Sequence, residues 1–231
     1  MESRLIAAGL ILLVAGCAEK PAPPAGDSVP SVEHPTVQLS NRPTVIFFGT
    51  SLTAGLGVSP DQAYPALIQR KADSAGLRLT VENRGNSGET SAGALTRIDW
   101  ILKSAPAMIV IETGANDGLR GQDPDSTEAN IQGIIDKIRA RDSTIRIALI
   151  GMEAMPNLGR RYVERFRGIY PELAKRNGLL FVPFLLEGVA GVEGLNQADG
   201  VHPTPKGHER VAENVWRALR VTLVTLDRSA R

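Results

Sequence analysis

From residue 43 onward, short apolar runs alternate with segments of helical periodicity, and the alternation repeats five times. The runs at residues 44–48, 78–82, 108–112, 145–150 and 179–182 are short, apolar and bounded by turn residues, so they read as strands. Helices are expected between and after them, near residues 64–74, 90–102, 125–140, 160–176 and 206–226. Ser59-Pro60-Asp61 offers a cap and a first-turn proline to the first helix, Asn177-Gly178 a stop to the fourth, and Pro205 a start to the last. Strands that return through helices run parallel, so the pattern predicts an α/β fold with a mainly parallel five-stranded sheet and helices on both faces.

Sites in such sheets form beyond the carboxyl ends of the strands. That rule sorts the polar residues. Ser51 follows the first strand, Gly85-Asn86-Ser87-Gly88 the second, Gly114-Ala115-Asn116-Asp117 the third, and Gly151 to Asn157 the fourth. All four loops should open on one edge. A serine hydroxyl needs a base to take its proton, and histidine is the usual one. The chain has three histidines. His34 lies before the folded part, and His208 stands among Lys206, Glu209 and Arg210 and reads as solvated. His202 remains, in Asp199-Gly200-Val201-His202-Pro203, with Asp199 three residues earlier to orient the imidazole. Donors for an oxyanion are then the backbone N–H groups of Ser51 and Gly88 and the side-chain amide of Asn116. Each of these features alone is ordinary turn or cap chemistry. Together, at the ends of neighbouring strands, they make the set a serine hydrolase requires. The loop at residues 152–158 is apolar enough either to line an acyl groove or to pack on its own core.

Charge excludes some partners. With 26 Lys+Arg against 25 Asp+Glu and no basic stripe, nucleic acid is not expected. Aromatics make up 4% of the chain, which gives little surface for stacking bases or sugars.

Four ordered blocks carry a family resemblance: Phe48-Gly49-Thr50-Ser51-Leu52-Thr53-Ala54-Gly55, Asn86-Ser87-Gly88-Glu89-Thr90-Ser91, residues 112–121 around Gly114-Ala115-Asn116-Asp117, and Asp199-Gly200-Val201-His202-Pro203. The chain resembles the SGNH, or GDSL-type, serine hydrolases, and within them the bacterial thioesterase, lysophospholipase and arylesterase subgroup. Gly159-Arg160-Arg161-Tyr162 and Ile169-Tyr170-Pro171 are also similar to that subgroup. The resemblance implies a flavodoxin-like three-layer α/β/α sandwich that uses neither metal nor organic cofactor. It implies Ser51 as nucleophile, His202 as base, Asp199 as its orienting carboxylate, and Ser51, Gly88 and Asn116 as the oxyanion hole. The substrate would be a small acyl ester or thioester, lysophospholipid included. One departure stands out: Thr50 occupies the place of the family's Asp in Gly-Asp-Ser-Leu. Activity should survive it, with rate and loop geometry as the properties it touches. Thr53 stands where a Gly-x-Ser-x-Gly elbow needs its second glycine, which argues against the ordinary α/β-hydrolase fold. Two other functions fit the same residues: O-deacetylation of cell-wall carbohydrate, and a non-catalytic lipoprotein that binds acyl chains.

The N-terminal residues read as processing signals. Arg4, the apolar stretch to Val14 and the small residues before Cys17 have the order of a secretory signal. Leu13-Val14-Ala15-Gly16-Cys17 resembles a bacterial lipobox, which implies acylation of Cys17, the chain's one cysteine. The expected organisation is a signal peptide at 1–16, a lipidated cysteine and proline-rich tether at 17–42, and the hydrolase domain at 43–231. Anchoring on the periplasmic side follows, with the outer membrane favoured because Ala18, not Asp, comes after Cys17.

Overall fold

The computed structural model describes residues 42–230. The expected signal peptide, Cys17 and most of the expected tether, His34 included, lie outside the described residues. Five parallel strands form one sheet in the order β2-β1-β3-β4-β5: β1 Thr44–Gly49, β2 Thr80–Gly85, β3 Met108–Ile111, β4 Arg146–Ile150 and β5 Leu180–Val182. This is the flavodoxin-like order, and the chain reverses its direction of travel across the sheet between β1 and β3. Among the described residues, seven helices connect or follow the strands: α1 Ser51–Ala54, α2 Tyr64–Ser74, α3 Ser91–Ile101, α4 Ala115–Leu119, α5 Pro124–Arg141, α6 Arg160–Asn177 and α7 Pro205–Ser229. Helix α2 packs with α7, while α3 packs with α5 and α5 with α6, giving three layers.

Burial follows from position in the sheet. β3 is central, covered on both faces, and all four of its residues are buried, hence its unbroken Met-Ile-Val-Ile run. β2 is an edge strand. Its sequence Thr-Val-Glu-Asn-Arg-Gly is only part-buried, and its register runs from Thr44 opposite Thr80 to Gly49 opposite Gly85. The apolar pattern alone puts this strand at residues 78–82. An edge carries polar side chains, so Asn83 and Arg84 look like loop although they pair. The amphipathic pattern locates the long helices well. In α7, His208, Val211, Ala212, Val215, Leu219, Leu223 and Leu226 are buried at helical spacing.

Two local starts differ from expectation. Ser59-Pro60-Asp61 does not open α2 but belongs to a separate 3₁₀ turn, Pro60–Gln62, closed by a Ser59–Gln62 capping box. Ala63, extended at φ −63° and ψ 142°, then intervenes before α2. The helices α1 and α4 have no counterpart among the sequence expectations, because four or five residues are too few for a periodicity. Both begin directly after a strand, and both carry site residues.

Candidate active site

Gly49 and Gly85 stand opposite each other at the carboxyl ends of β1 and β2. A Cβ on Gly49 would lie 2.1 Å from Thr53 Oγ1, and one on Gly85 2.2 Å from the Ala54 nitrogen. Their missing side chains let α1 sit directly on the sheet edge. Thr50 is the N-cap of that helix and Ser51 its first residue, so the Ser51 N–H has no intrahelical acceptor and remains free to bind a ligand. Ser51 itself is 8% exposed.

The loop before α7 brings the base. His202 Nε2 lies 2.9 Å from Ser51 Oγ, and His202 Nδ1 lies 2.6 Å from Asp199 Oδ2. The second carboxylate oxygen of Asp199 accepts from the backbone N–H of Val201 at 2.9 Å and of His202 at 3.0 Å. The side-chain bond from His202 and then these backbone bonds hold the Asp199 carboxyl down at about 2. Asp199 is therefore an anion at any working pH and fixes the imidazole with Nε2 towards the serine. The loop is closed by Gln197 N–H on His202 C=O at 2.7 Å and Thr204 N–H on Leu195 C=O at 2.9 Å. Gln197 also donates through Nε2 to Leu56 C=O at 2.7 Å and Pro203 C=O at 2.9 Å. That amide ties the histidine loop to the serine loop. Nothing in the sequence signals it.

The oxyanion candidates flank Ser51 because β2 and β3 flank β1. Gly88 has φ +79°, a left-handed value that glycine adopts without strain. Its N–H makes no hydrogen bond among the described residues. Arg120 donates to its carbonyl at 3.1 Å. Asn116, on α4, donates one Nδ2 hydrogen to Glu89 C=O at 2.9 Å, which orients the amide and leaves its second hydrogen for a ligand. Asp117 reads in sequence only as part of a turn. It is 1% exposed and accepts from Ser91 N–H at 2.8 Å and Ser91 Oγ at 2.6 Å, locking α4 to the Gly88 loop. Arg97 clamps the same loop: it grips Glu89 with two bonds of 2.7 Å, donates to Gly49 C=O at 3.3 Å, and stacks 4.3 Å over Phe48.

Two buried groups lie behind the site. Glu112, just past β3, is fully buried and bonded to Thr50 and Thr53. By sequence it is only the end of a strand, although a carboxylate closing a buried run was the available signal. His208 is not solvated, as its charged neighbours suggest. It is 1% exposed, because its neighbours Lys206, Glu209 and Arg210 leave α7 on other sides. Its Nδ1 accepts from Tyr64 N–H at 3.3 Å, and its ring stacks on Tyr64 at 6.4 Å. Burial, and then the charge of His202, pull it down to about 4. His208 is a neutral core acceptor, and of the two described histidines His202 alone joins the row with Ser51 and Asp199. Among the described residues no three His, Cys, Asp or Glu side chains group as metal ligands.

The rim is apolar. Leu56, Leu119, Met155 and Val192 are 47%, 44%, 45% and 43% exposed. They belong to the segments after β1, β3, β4 and β5, on the edge that carries Ser51. In the loop at 152–158 Met152 and Ala154 pack into the core, while Met155 is exposed.

A doubly wound sheet with a hydroxyl, an imidazole and a carboxylate in a row at its carboxyl edge defines the serine acyl hydrolases as a class. The chain belongs to the GDSL-like lipase/acylhydrolase family, whose model matches residues 47–210, and is an esterase-type hydrolase of that family. It is 40% identical over 181 residues to "Esterase TesA" of Pseudomonas aeruginosa, covering 78% of this chain and 89% of that one. It is 35% identical over 184 residues to "Thioesterase 1/protease 1/lysophospholipase L1" of Escherichia coli strain K12, covering 79% and 85%. In structure it is similar to the psychrotrophic esterase EstA of a Pseudoalteromonas species inhibited by monoethylphosphonate, with a TM-score of 0.74 at 29% identity, over 78% of this chain and 98% of that one.

Proposed function

We propose that this protein hydrolyses acyl esters and thioesters, lysophospholipids among them, through an acyl-enzyme on Ser51. The observation that carries this reading is the row Ser51 Oγ, His202 Nε2, His202 Nδ1, Asp199 Oδ2, with contacts of 2.9 and 2.6 Å. In the first half-reaction His202 takes the Ser51 proton as Oγ attacks the acyl carbonyl carbon. The carbonyl oxygen becomes an oxyanion that the N–H groups of Ser51 and Gly88 and the Asn116 amide receive. The tetrahedral intermediate collapses, and the alcohol or thiol leaves with the proton held by His202. Water then attacks the acyl-Ser51 ester, again losing its proton to His202, and the acid departs as Ser51 is restored. Asp199 stabilises the imidazolium in both halves.

The exposed Leu56, Leu119, Met155 and Val192 support an acyl chain as the recognised portion, against an acetylated sugar, which would want polar and stacking partners. The names of the Pseudomonas and Escherichia relatives support esterase, thioesterase and lysophospholipase activity. A fluorophosphonate should label the protein once, on Ser51, with loss of ester hydrolysis in proportion, as peptide mass spectrometry would show. Full activity after complete labelling elsewhere, or no labelling, would overturn the assignment.

The location is proposed from the sequence alone. Leu13-Val14-Ala15-Gly16-Cys17 supports acylation of Cys17 and anchoring on the periplasmic side of a membrane. No described helix is long and apolar enough to cross a membrane. Cys17→Ser should move the protein from the membrane fraction to the soluble periplasmic fraction. A variant still sedimenting with membranes would exclude the lipid anchor.

A further inference from the structure

Glu112 has no part in the hydrolytic steps above, yet a carboxylate buried among apolar side chains is costly unless something depends on it. Its two oxygens accept from donors on both sides of Ser51. Thr50 N–H reaches Oε2 at 2.8 Å, and Thr50 Oγ1 reaches Oε1 at 2.9 Å and Oε2 at 3.1 Å. Thr53 Oγ1 reaches Oε2 at 2.8 Å. Thr53 has one hydroxyl hydrogen and gives it to Glu112, so in the 2.8 Å contact between Thr53 Oγ1 and Tyr64 OH the phenol is the donor. Protons therefore run inward from Tyr64 to Thr53 to Glu112, and from Thr50 to Glu112. Thr50 and Thr53 bracket Ser51 in sequence, and Thr50 is the cap of the helix that Ser51 begins.

We infer that the ionised Glu112 carboxylate is a positioning residue for Ser51, holding the turn through Thr50 and Thr53 so that the serine N–H and Oγ keep their aim at the oxyanion and at His202. The inference rests on Ser51 being the nucleophile. A protonated Glu112 must donate, and the hydroxyls within its reach are those of Thr50 and Thr53. The one that receives its single hydrogen would have to turn its own away, and the Thr50 N–H would lose an anionic acceptor.

The surroundings place this change in the neutral range. Burial pushes the Glu112 carboxyl up, and the bonds from Thr50 and Thr53 pull it partly back, to about 7. Tyr64 from α2 and Tyr170 from α6 face it, both driven well above the ordinary phenol value, first by burial, and both neutral. His208 from α7 stacks behind Tyr64 and is neutral there. Asp117 from α4 lies beyond Tyr170. Arg97 of α3 donates to the Gly49 carbonyl and is committed to Glu89. The chain's departure from the family pattern is thereby explained, since Thr50 gives the carboxylate two donors and no second charge.

The test measures kcat, KM and the second-order rate of Ser51 phosphonylation by a fluorophosphonate from pH 5.5 to 9, in the wild type and in E112Q, T50V and T50S. The wild-type acid limb should be steeper than that of E112Q, since Glu112 must lose a proton to hold the turn. E112Q should lose about 10²-fold in kcat and phosphonylation, the size of a displaced reacting group, with KM changed by less than about threefold and a shallower acid limb. T50V, lacking one charged bond, should lose about tenfold, and T50S should restore most of it. E112Q within about twofold of wild type, with the limb unchanged, would overturn the inference. If E112Q does not fold by circular dichroism, T50V decides: wild-type rates and slope would overturn it equally. A wild type that the phosphonate does not label at Ser51 is a different result, which removes the nucleophile and this inference with it.

Discussion

Ser51→Ala is expected to lower kcat for a short-chain aryl ester by on the order of 10⁵-fold, with KM changed no more than a few-fold. The size follows from what is removed. The hydroxyl supplies the attacking atom for which no neighbour substitutes, since Thr50 Oγ1 and Thr53 Oγ1 are both turned inward onto Glu112. The free N–H groups at Ser51 and Gly88 and the exposed apolar side chains proposed to receive the acyl chain are untouched, so binding and a residual stabilisation of the oxyanion should persist. The members of such a row act as a unit, so Ser51→Ala combined with His202→Ala should be little worse than Ser51→Ala alone. Folding should be nearly unaffected: the one bond lost from Ser51 Oγ goes to a part-exposed imidazole. Steady-state rates for the two single variants and the double variant check this. A Ser51→Ala enzyme retaining a tenth or more of its activity would remove the serine from the mechanism, as would strictly multiplicative losses.

The second large effect concerns stability against pH, where two buried groups oppose each other. Glu112 is raised from 4.5 to about 7, so between those values the folded protein binds the proton and the unfolded chain does not. Unfolding then releases a proton, and stability falls as pH rises, by about 3 kcal/mol once pH exceeds 7. His208 is lowered from 6.5 to about 4, so in that window the unfolded chain binds the proton and the folded protein does not. Stability from this group is present above about 6.5 and is lost as pH falls through 4, again by about 3 kcal/mol. The two slopes largely cancel between pH 4.5 and 6.5, and Asp199, held at about 2, titrates below that window. Urea denaturation of the wild type should therefore show a nearly flat profile there. Glu112→Gln should uncover a rise with pH of about 3 kcal/mol from pH 4 to 6.5. His208→Asn, which keeps an acceptor for the Tyr64 N–H, should uncover the fall between 4.5 and 7. Flat profiles in both variants would contradict the burial of both charges.

Much of the fold and site was legible because it obeys local rules. Met108 to Ile111 reads as a central strand since both its faces are covered, and α7 reads as a helix since one stripe of it is buried. Ser51, Gly88 and Asn116 could be picked out because strand ends share an edge, and His202 with Asp199 because the chain offers few histidines and one of them has a carboxylate three residues before it. What escaped were residues whose role depends on partners far along the chain. Glu112 meets Thr50 across 62 residues, Asp117 meets Ser91 across 26, and Gln197 meets Leu56 across 141. No window of sequence contains such pairs. His208 misleads for the converse reason. Its sequence neighbours are charged, but on a helix the residues beside it point elsewhere, and its true neighbour is Tyr64, 144 positions away.

Because all five strands run parallel, the sheet has a receiving edge and a working edge. Pro43, whose carbonyl accepts from Thr80 N–H, brings the chain in at the receiving edge, and Ser51 stands at the working one, a full strand length away. The amino-terminal ends of the strands, Pro43 beside them, therefore lie on the side remote from Ser51. A link made through the exposed Ser143 or Thr144, just ahead of β4, would hold the enzyme by the edge opposite Ser51 and keep its reactive side turned outward.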